Sequence, residues 1–154
     1  MKGYDILGNI AVVKFDRKDS LKKKKKESAM LMKQHKNVST VLEKSDKFSG
    51  RLRTLKTKHI LGVKTKEVLY RENDCTFRFN VDSCYFSSRL SNERVEIAEM
   101  IKPGERVLVM CGGVAPFAIA VAKLSEADEV VSIELSRACN KYALDNVKRN
   151  KVQD

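Results

Sequence analysis

No stretch of this sequence approaches the roughly 18 apolar residues that a membrane-crossing helix needs. The opening Met1-Lys2-Gly3-Tyr4-Asp5 does not lead into a signal-peptide core, so a cytoplasmic protein is expected. Cysteine is sparse and scattered: Cys75, Cys84, Cys111 and Cys139 form no C-x-x-C pair and signal neither a zinc site nor a disulfide framework, reading as buried or idle thiols. The only histidines, His35 and His59, have no Cys, His or carboxylate at ligand spacing, and no metal is assigned. There are no internal repeats. Acidic residues are in deficit, 20 against 31 Lys plus Arg, for a net charge of +11. That excess favours polyanionic partners through phosphate contacts, nucleic acid first, although a well-solvated basic surface with no particular partner fits the charge equally well.

What is present has the composition of a globular protein, 42% hydrophobic and 33% charged, long enough for one domain or two small ones. From Asp5 to Phe15 the enrichment in Ile, Val and Phe around Gly8-Asn9 predicts strand, turn and strand. Asp19-Ser20 caps a predicted helix with lysines at 22–26 and an apolar face from Ala29 to Met32. Those lysines suit RNA phosphates, yet five adjacent residues point all around a helix, as a solvated first turn also would. Short β-rich stretches follow at Val38 to Leu42, Arg51 to Lys58, Glu67 to Tyr70 and Cys75 to Asn80, separated by turn-formers at Ser49-Gly50, Gly62 and Asn73-Asp74. Residues 1–90 thus read as an α+β module and 91–104 as a linking helix that starts at Ser91 and stops at Pro103-Gly104.

From Glu105 the pattern changes to strand (Val107 to Met110), glycine turn, helix (Pro116 to Leu124), strand (Val130 to Ile133) and helix (Ser136 to Asn150). This βαβα order opens a doubly wound, Rossmann-like sheet over 105–154, and with two parallel strands at most it is expected to be a partial one. A glycine turn between a strand and a helix N-terminus lets a ligand approach the backbone. Glu134, about 20 residues past the turn at the end of the second strand, is placed to accept hydrogen bonds from a ribose diol. It reads also as an exposed acid capping the next helix through Ser136. A nicotinamide enzyme uses a related layout, but the G-x-G-x-x-G spacing is missing.

Three segments decide between these readings: Tyr85-Phe86-Ser87-Ser88-Arg89-Leu90-Ser91-Asn92-Glu93-Arg94, Gly104-Glu105-Arg106-Val107-Leu108 and Gly113-Val114-Ala115-Pro116-Phe117. Together they closely resemble the tRNA (guanine-N1)-methyltransferases of archaea and eukaryotes and their relatives in wybutosine synthesis, in which the first segment reads Phe-Ser-Pro-Arg-Leu, then Glu-Arg. The stretches from Val38 to Lys44 and from Ser49 to Arg53 look like the family's middle domain. The resemblance implies S-adenosylmethionine as cofactor, tRNA as partner and methylation of N1 of the guanosine 3′ of the anticodon. Aminocarboxypropyl transfer, or a basic tRNA-binding module with a decayed transferase domain, stand as alternatives. By position, Glu93 resembles the carboxylate that takes the ring proton of guanine, and Arg94 the contact to the cofactor carboxylate. Tyr85 and Arg89 are implied to lie beside the pocket, and Met110, Cys111, Gly112, Gly113, Val114 and Glu134 to line the cofactor site. Glu93 in a capping box, Arg94 in a surface ion pair and Tyr85-Phe86 as plain core are the simpler readings of the same residues.

Departures from the family pattern are Val109 in place of an acid, Gly112 of an alanine, Ala115 of a glycine and Ser88 of a proline. The family's small extra N-terminal domain is absent from these residues. Its Asn-Pro-Pro segment would lie after a fourth strand and is not among them either, so neither tight cofactor binding nor unaided methylation is expected. Micromolar calorimetric binding by the chain would overturn that. A monomer is the default expectation.

Overall fold

The computed structural model describes residues 1–45 and 50–153; Ser49 of the expected Ser49-Gly50 turn therefore lies outside the described residues. Strands β1 (Gly3–Leu7) and β2 (Ile10–Lys14) form the expected hairpin around Gly8-Asn9. Helix α1 (Leu21–Gln34) then crosses over to β3 (Thr40–Lys44), which pairs parallel to β2, and β4 (Thr57–Gly62) adds antiparallel to give the order β1-β2-β3-β4. Ser20 caps α1 as the sequence suggests, its hydroxyl accepting the Lys23 N–H at 3.3 Å. β2 is buried on both sides because alternate residues face different layers. Ala11 and Val13 meet Leu31, Val41 and Ile60 under α1, while Ile10 and Val12 meet Leu42, Leu55 and Phe79 on the other side.

Two strand expectations move. The stretch from Arg51 to Lys58 is mostly not a strand: Arg53 N–H closes a turn on Gly50 O (3.1 Å) and Leu55 N–H bonds Asp82 O (2.9 Å), so ladder pairing with β3 begins only at Thr57. The strand expected from Val38 to Leu42 starts at Thr40 and runs on to Lys44, since Ser39 and Thr40 N–H groups are still engaged with Asn9 O.

A second hairpin, β5 (Glu67–Glu72) and β6 (Cys75–Asn80), turns on Asn73 and Asp74, both at positive φ, the requirement of a two-residue turn whose twist matches the strands. The Asn9 side chain docks it to the first sheet, donating to Glu67 O and accepting from Leu69 N–H. A 3-10 turn at Ser88–Leu90 leads into α2 (Ser91–Met100). The last four elements are β7 (Arg106–Met110), α3 (Pro116–Leu124), β8 (Glu129–Ile133) and α4 (Arg137–Asn150), with β7 and β8 parallel, the expected Rossmann-like βαβα.

Helix α4 completes β6. Asn146 accepts from Arg78 N–H (2.7 Å) and donates to Arg78 O (3.1 Å), and Asn150 does the same at Thr76 (2.8 and 2.8 Å). Two side-chain amides thus stand where a neighbouring strand would, satisfying an edge that is otherwise buried. Phe77, Phe79 and Phe86 stack beneath this layer and join the first sheet to the βαβα unit in one core. Among the described residues no helix is long and apolar enough to cross a membrane.

Candidate functional site

The tips of β7 and β8 are joined by one carboxylate. After Met110 the chain makes a tight turn in which Cys111, Gly113 and Ala115 all have φ between 55° and 65°, bringing Pro116 to the first position of α3. Gly112 packs against β8, where a Cβ would come within 2.1 Å of Ser132 Oγ, and its N–H bonds Ile133 O at 2.9 Å. Glu134 Oε2 accepts the Gly113 N–H at 2.8 Å and Oε1 accepts the Ser136 N–H at 2.7 Å. Glu134 thus sits at the start of α4 and also faces the glycine turn. Held by two backbone donors, the half-buried carboxylate still has acceptor lone pairs free. Met110 and Cys111 stand exposed beside it, while Val114 is fully buried.

The segment carrying Tyr85 to Arg94 lies against this turn. A Cβ on Gly113 would sit 3.7 Å from Tyr85 O, and the Arg94 guanidinium lies 5.4 Å from the Phe117 ring centroid, in the first turn of α3. Arg94, implied by the resemblance to meet the cofactor carboxylate, is turned into the protein. Its side chain is 1% exposed; Nε and Nη2 grip the Glu72 carboxylate at 2.5 and 2.8 Å, Nη2 also donates to Ser87 O, and the Phe86 ring covers it at 5.2 Å. Nor is this the surface ion pair of the simpler reading. A planar fork suits a bidentate carboxylate inside the protein, and the pair pins the loop before α2 to β5.

Glu93 is exposed in the first turn of α2. Helix α2 is capped by Leu90 without a side-chain bond, so no capping box forms. Among the described residues nothing hydrogen-bonds or pairs with Glu93, which leaves an unoccupied carboxylate acceptor. Tyr85 and Arg89 line a cavity of about 330 Å³ with Leu7, Lys44, Leu55 and Cys84. Arg89 stands at its rim, bonded to Asp5 at 2.8 Å, and the Arg53 guanidinium stacks 4.2 Å over the Tyr85 ring. At the cavity wall the Cys84 thiol faces that of Cys139. The hydrogen bond from Cys84 and that of Ser136 bring Cys139 down to about 7, and the same thiol pairing together with burial pushes Cys84 up.

The glycine turn and the Tyr85–Arg94 segment thus touch at Gly113–Tyr85 and at Arg94–Phe117. Residues 68–154 match the family model described as the TRM5/TYW2 methyltransferase domain, and residues 1–65 match the TYW2 N-terminal domain. The chain belongs to the TRM5/TYW2 methyltransferase family. It is 39% identical over 151 residues to the tRNA (guanine(37)-N(1))/4-demethylwyosine(37)-methyltransferase Taw22 of Nanoarchaeum equitans, covering 97% of this chain and 48% of that protein. The crystal structure of Trm5b from Pyrococcus abyssi is similar with a TM-score of 0.84 and 37% identity, covering 99% of this chain and 45% of that one. P. horikoshii TYW2 in complex with MeSAdo gives 0.76 and 25%, covering 99% and 53%. The chain spans about half the length of these relatives.

The family resemblance read from the sequence is therefore shown, as is the α+β module followed by a Rossmann-like part. The two family matches meet between residues 65 and 68, so that division places the β5–β6 hairpin with the second part. Three site-supporting residues escaped the sequence reading: Glu72, Arg53 and Asn146. Each acts on a partner 22 or more residues away, and local spacing carries no signal for that. A buried arginine beside phenylalanines demands a carboxylate, and that demand was the one available hint of Glu72.

Proposed function

We propose that this chain serves S-adenosylmethionine-dependent methylation of N1 of the guanosine 3′ of the anticodon in tRNA. The observation that carries the proposal is the Glu134 carboxylate bridging Gly113 N–H and Ser136 N–H at the open tips of β7 and β8. The residues there fit a nucleoside cofactor: a rigidly oriented acceptor for a ribose diol, a backbone turn that lets a ligand come close, and the exposed Met110 and Cys111 as flanking surface. S-adenosylmethionine, when bound, supplies an electrophilic methyl group. Glu93 accepts the N1 proton of guanine, which raises the nucleophilicity of the ring; its lack of any partner suits a general base. Arg94 acts through others, fixing the loop that carries Tyr85 and the helix that carries Glu93. Tyr85, held under Arg53, and Arg89 border the cavity in which a flipped-out base fits.

Calorimetric titration of the chain with S-adenosylhomocysteine tests the reading. Binding weaker than micromolar is expected and is lost in Glu134→Ala. Preference for a nicotinamide dinucleotide, or binding unaffected by Glu134→Ala, would overturn it. The TYW2 N-terminal match over residues 1–65 supports a second reading, aminocarboxypropyl transfer from the same cofactor. Mass analysis of nucleosides from tRNA incubated with the chain separates the two products, and tRNA binding without turnover would support a binding role alone.

A further inference from the structure

Helix α1 carries five consecutive lysines at its start, and the structure sorts them. Lys23 bonds Asp19 at 2.5 Å and Lys24 bonds Glu43 at 2.6 Å. Lys22, Lys25 and Lys26, with Lys33 two turns on, are exposed, and among the described residues none has an acidic partner. At 3.6 residues per turn these four fall within an arc of about 100° on the face opposite buried Leu31, and span about 16 Å along the helix. No acidic residue stands in the first turn. Cations there oppose the helix dipole as well as one another, an arrangement that a polyanion relieves.

We propose that this outer face of α1 grips the phosphate backbone of the RNA, an inference that rests on the tRNA reading above. The span matches about five phosphates along one strand. The cavity lies on the other side of the sheet from this face. On β3, Glu43 points to α1 and holds Lys24, while the next residue, Lys44, points to the opposite side of the sheet and lines the cavity with Tyr85 and Arg89.

Fluorescence anisotropy of a labelled tRNA transcript across a salt series tests this with the full chain and a Lys22→Gln, Lys25→Gln, Lys26→Gln, Lys33→Gln variant. A control variant neutralises Lys64, Lys102, Lys148 and Lys151, exposed elsewhere. The α1 variant is expected to lose about tenfold or more in affinity, with the slope of log K against log salt falling by about three, while the control loses much less. Circular dichroism checks the fold, which relief of like charge leaves intact. Equal losses in the two variants, or none in the α1 variant, would sink the surface and leave the tRNA reading standing. No binding by the unaltered chain would remove both. Lysine-dependent binding to phosphatidylserine vesicles with an unchanged tRNA slope would assign the face to a membrane and overturn the proposal.

Discussion

At the scale of single residues, Arg94 is the largest fully buried side chain of the fold's described residues. A guanidinium that is 1% exposed is tolerable only because Glu72, Ser87 O and two phenyl rings replace its water. Glu72→Ala is therefore expected to cost about 3–5 kcal/mol in urea unfolding, because it leaves a buried charge unpaired. Replacing both partners with methionine should recover most of that loss; if the double variant is as unstable as the single one, the pair does more than neutralise. Cys139 gives a second residue-scale test. With the Cys84 hydrogen bond lowering it to about 7, its thiolate fraction grows as pH rises through neutrality. Exposed Cys111 should react first with a thiol reagent, and a slower phase should accelerate with a midpoint below the ordinary thiol value. Loss of that phase in Cys139→Ser confirms the assignment, and a midpoint near the ordinary thiol value refutes it.

Among the elements, what the sequence made readable was local. Ser20 caps α1 and Asn73-Asp74 turns a hairpin, each through chemistry contained in a few neighbouring residues, whereas the linking helix already ends at Met100, short of Pro103-Gly104. The βαβα order and the placing of Glu134 at the end of β8 were legible for the same reason. Asn146 and Asn150 were not: on a helix they look like ordinary polar residues, and only β6, 68 and 74 positions earlier, makes them a strand substitute. Leu90 as the cap of α2 was equally hidden, since the preceding 3-10 turn supplies the geometry that a serine normally would. The glycine turn tests element and residue together. Ala115 has φ 65° at the cap of α3, where an L side chain is strained by about 1–2 kcal/mol, yet its buried methyl offsets about 0.8 kcal/mol of that. Ala115→Gly is thus expected to be neutral or slightly stabilising in thermal unfolding. Ala118→Gly, inside the same helix, should cost about 1–2 kcal/mol. Equal losses at both positions would show that the left-handed turn carries no strain.

For the whole molecule the balance of charge matters more than any one pair. Net +11 means that folding gathers like charges, and the lysines on α1 concentrate them. Against this stand exposed pairs such as Arg89–Asp5, Arg78–Glu67 and Arg106–Glu129, each worth little in water. Salt screens both, but repulsion acts over many pairs at distances near the Debye length of about 8–10 Å, whereas the strongest attraction, Arg94 with Glu72, is buried and barely screened. Sodium chloride is therefore expected to raise the melting temperature between low and physiological ionic strength, and neutralising the four outer lysines of α1 should flatten that rise. A melting temperature that falls with salt would mean that the surface pairs outweigh the repulsion, and that the basic face is electrostatically balanced without a polyanion.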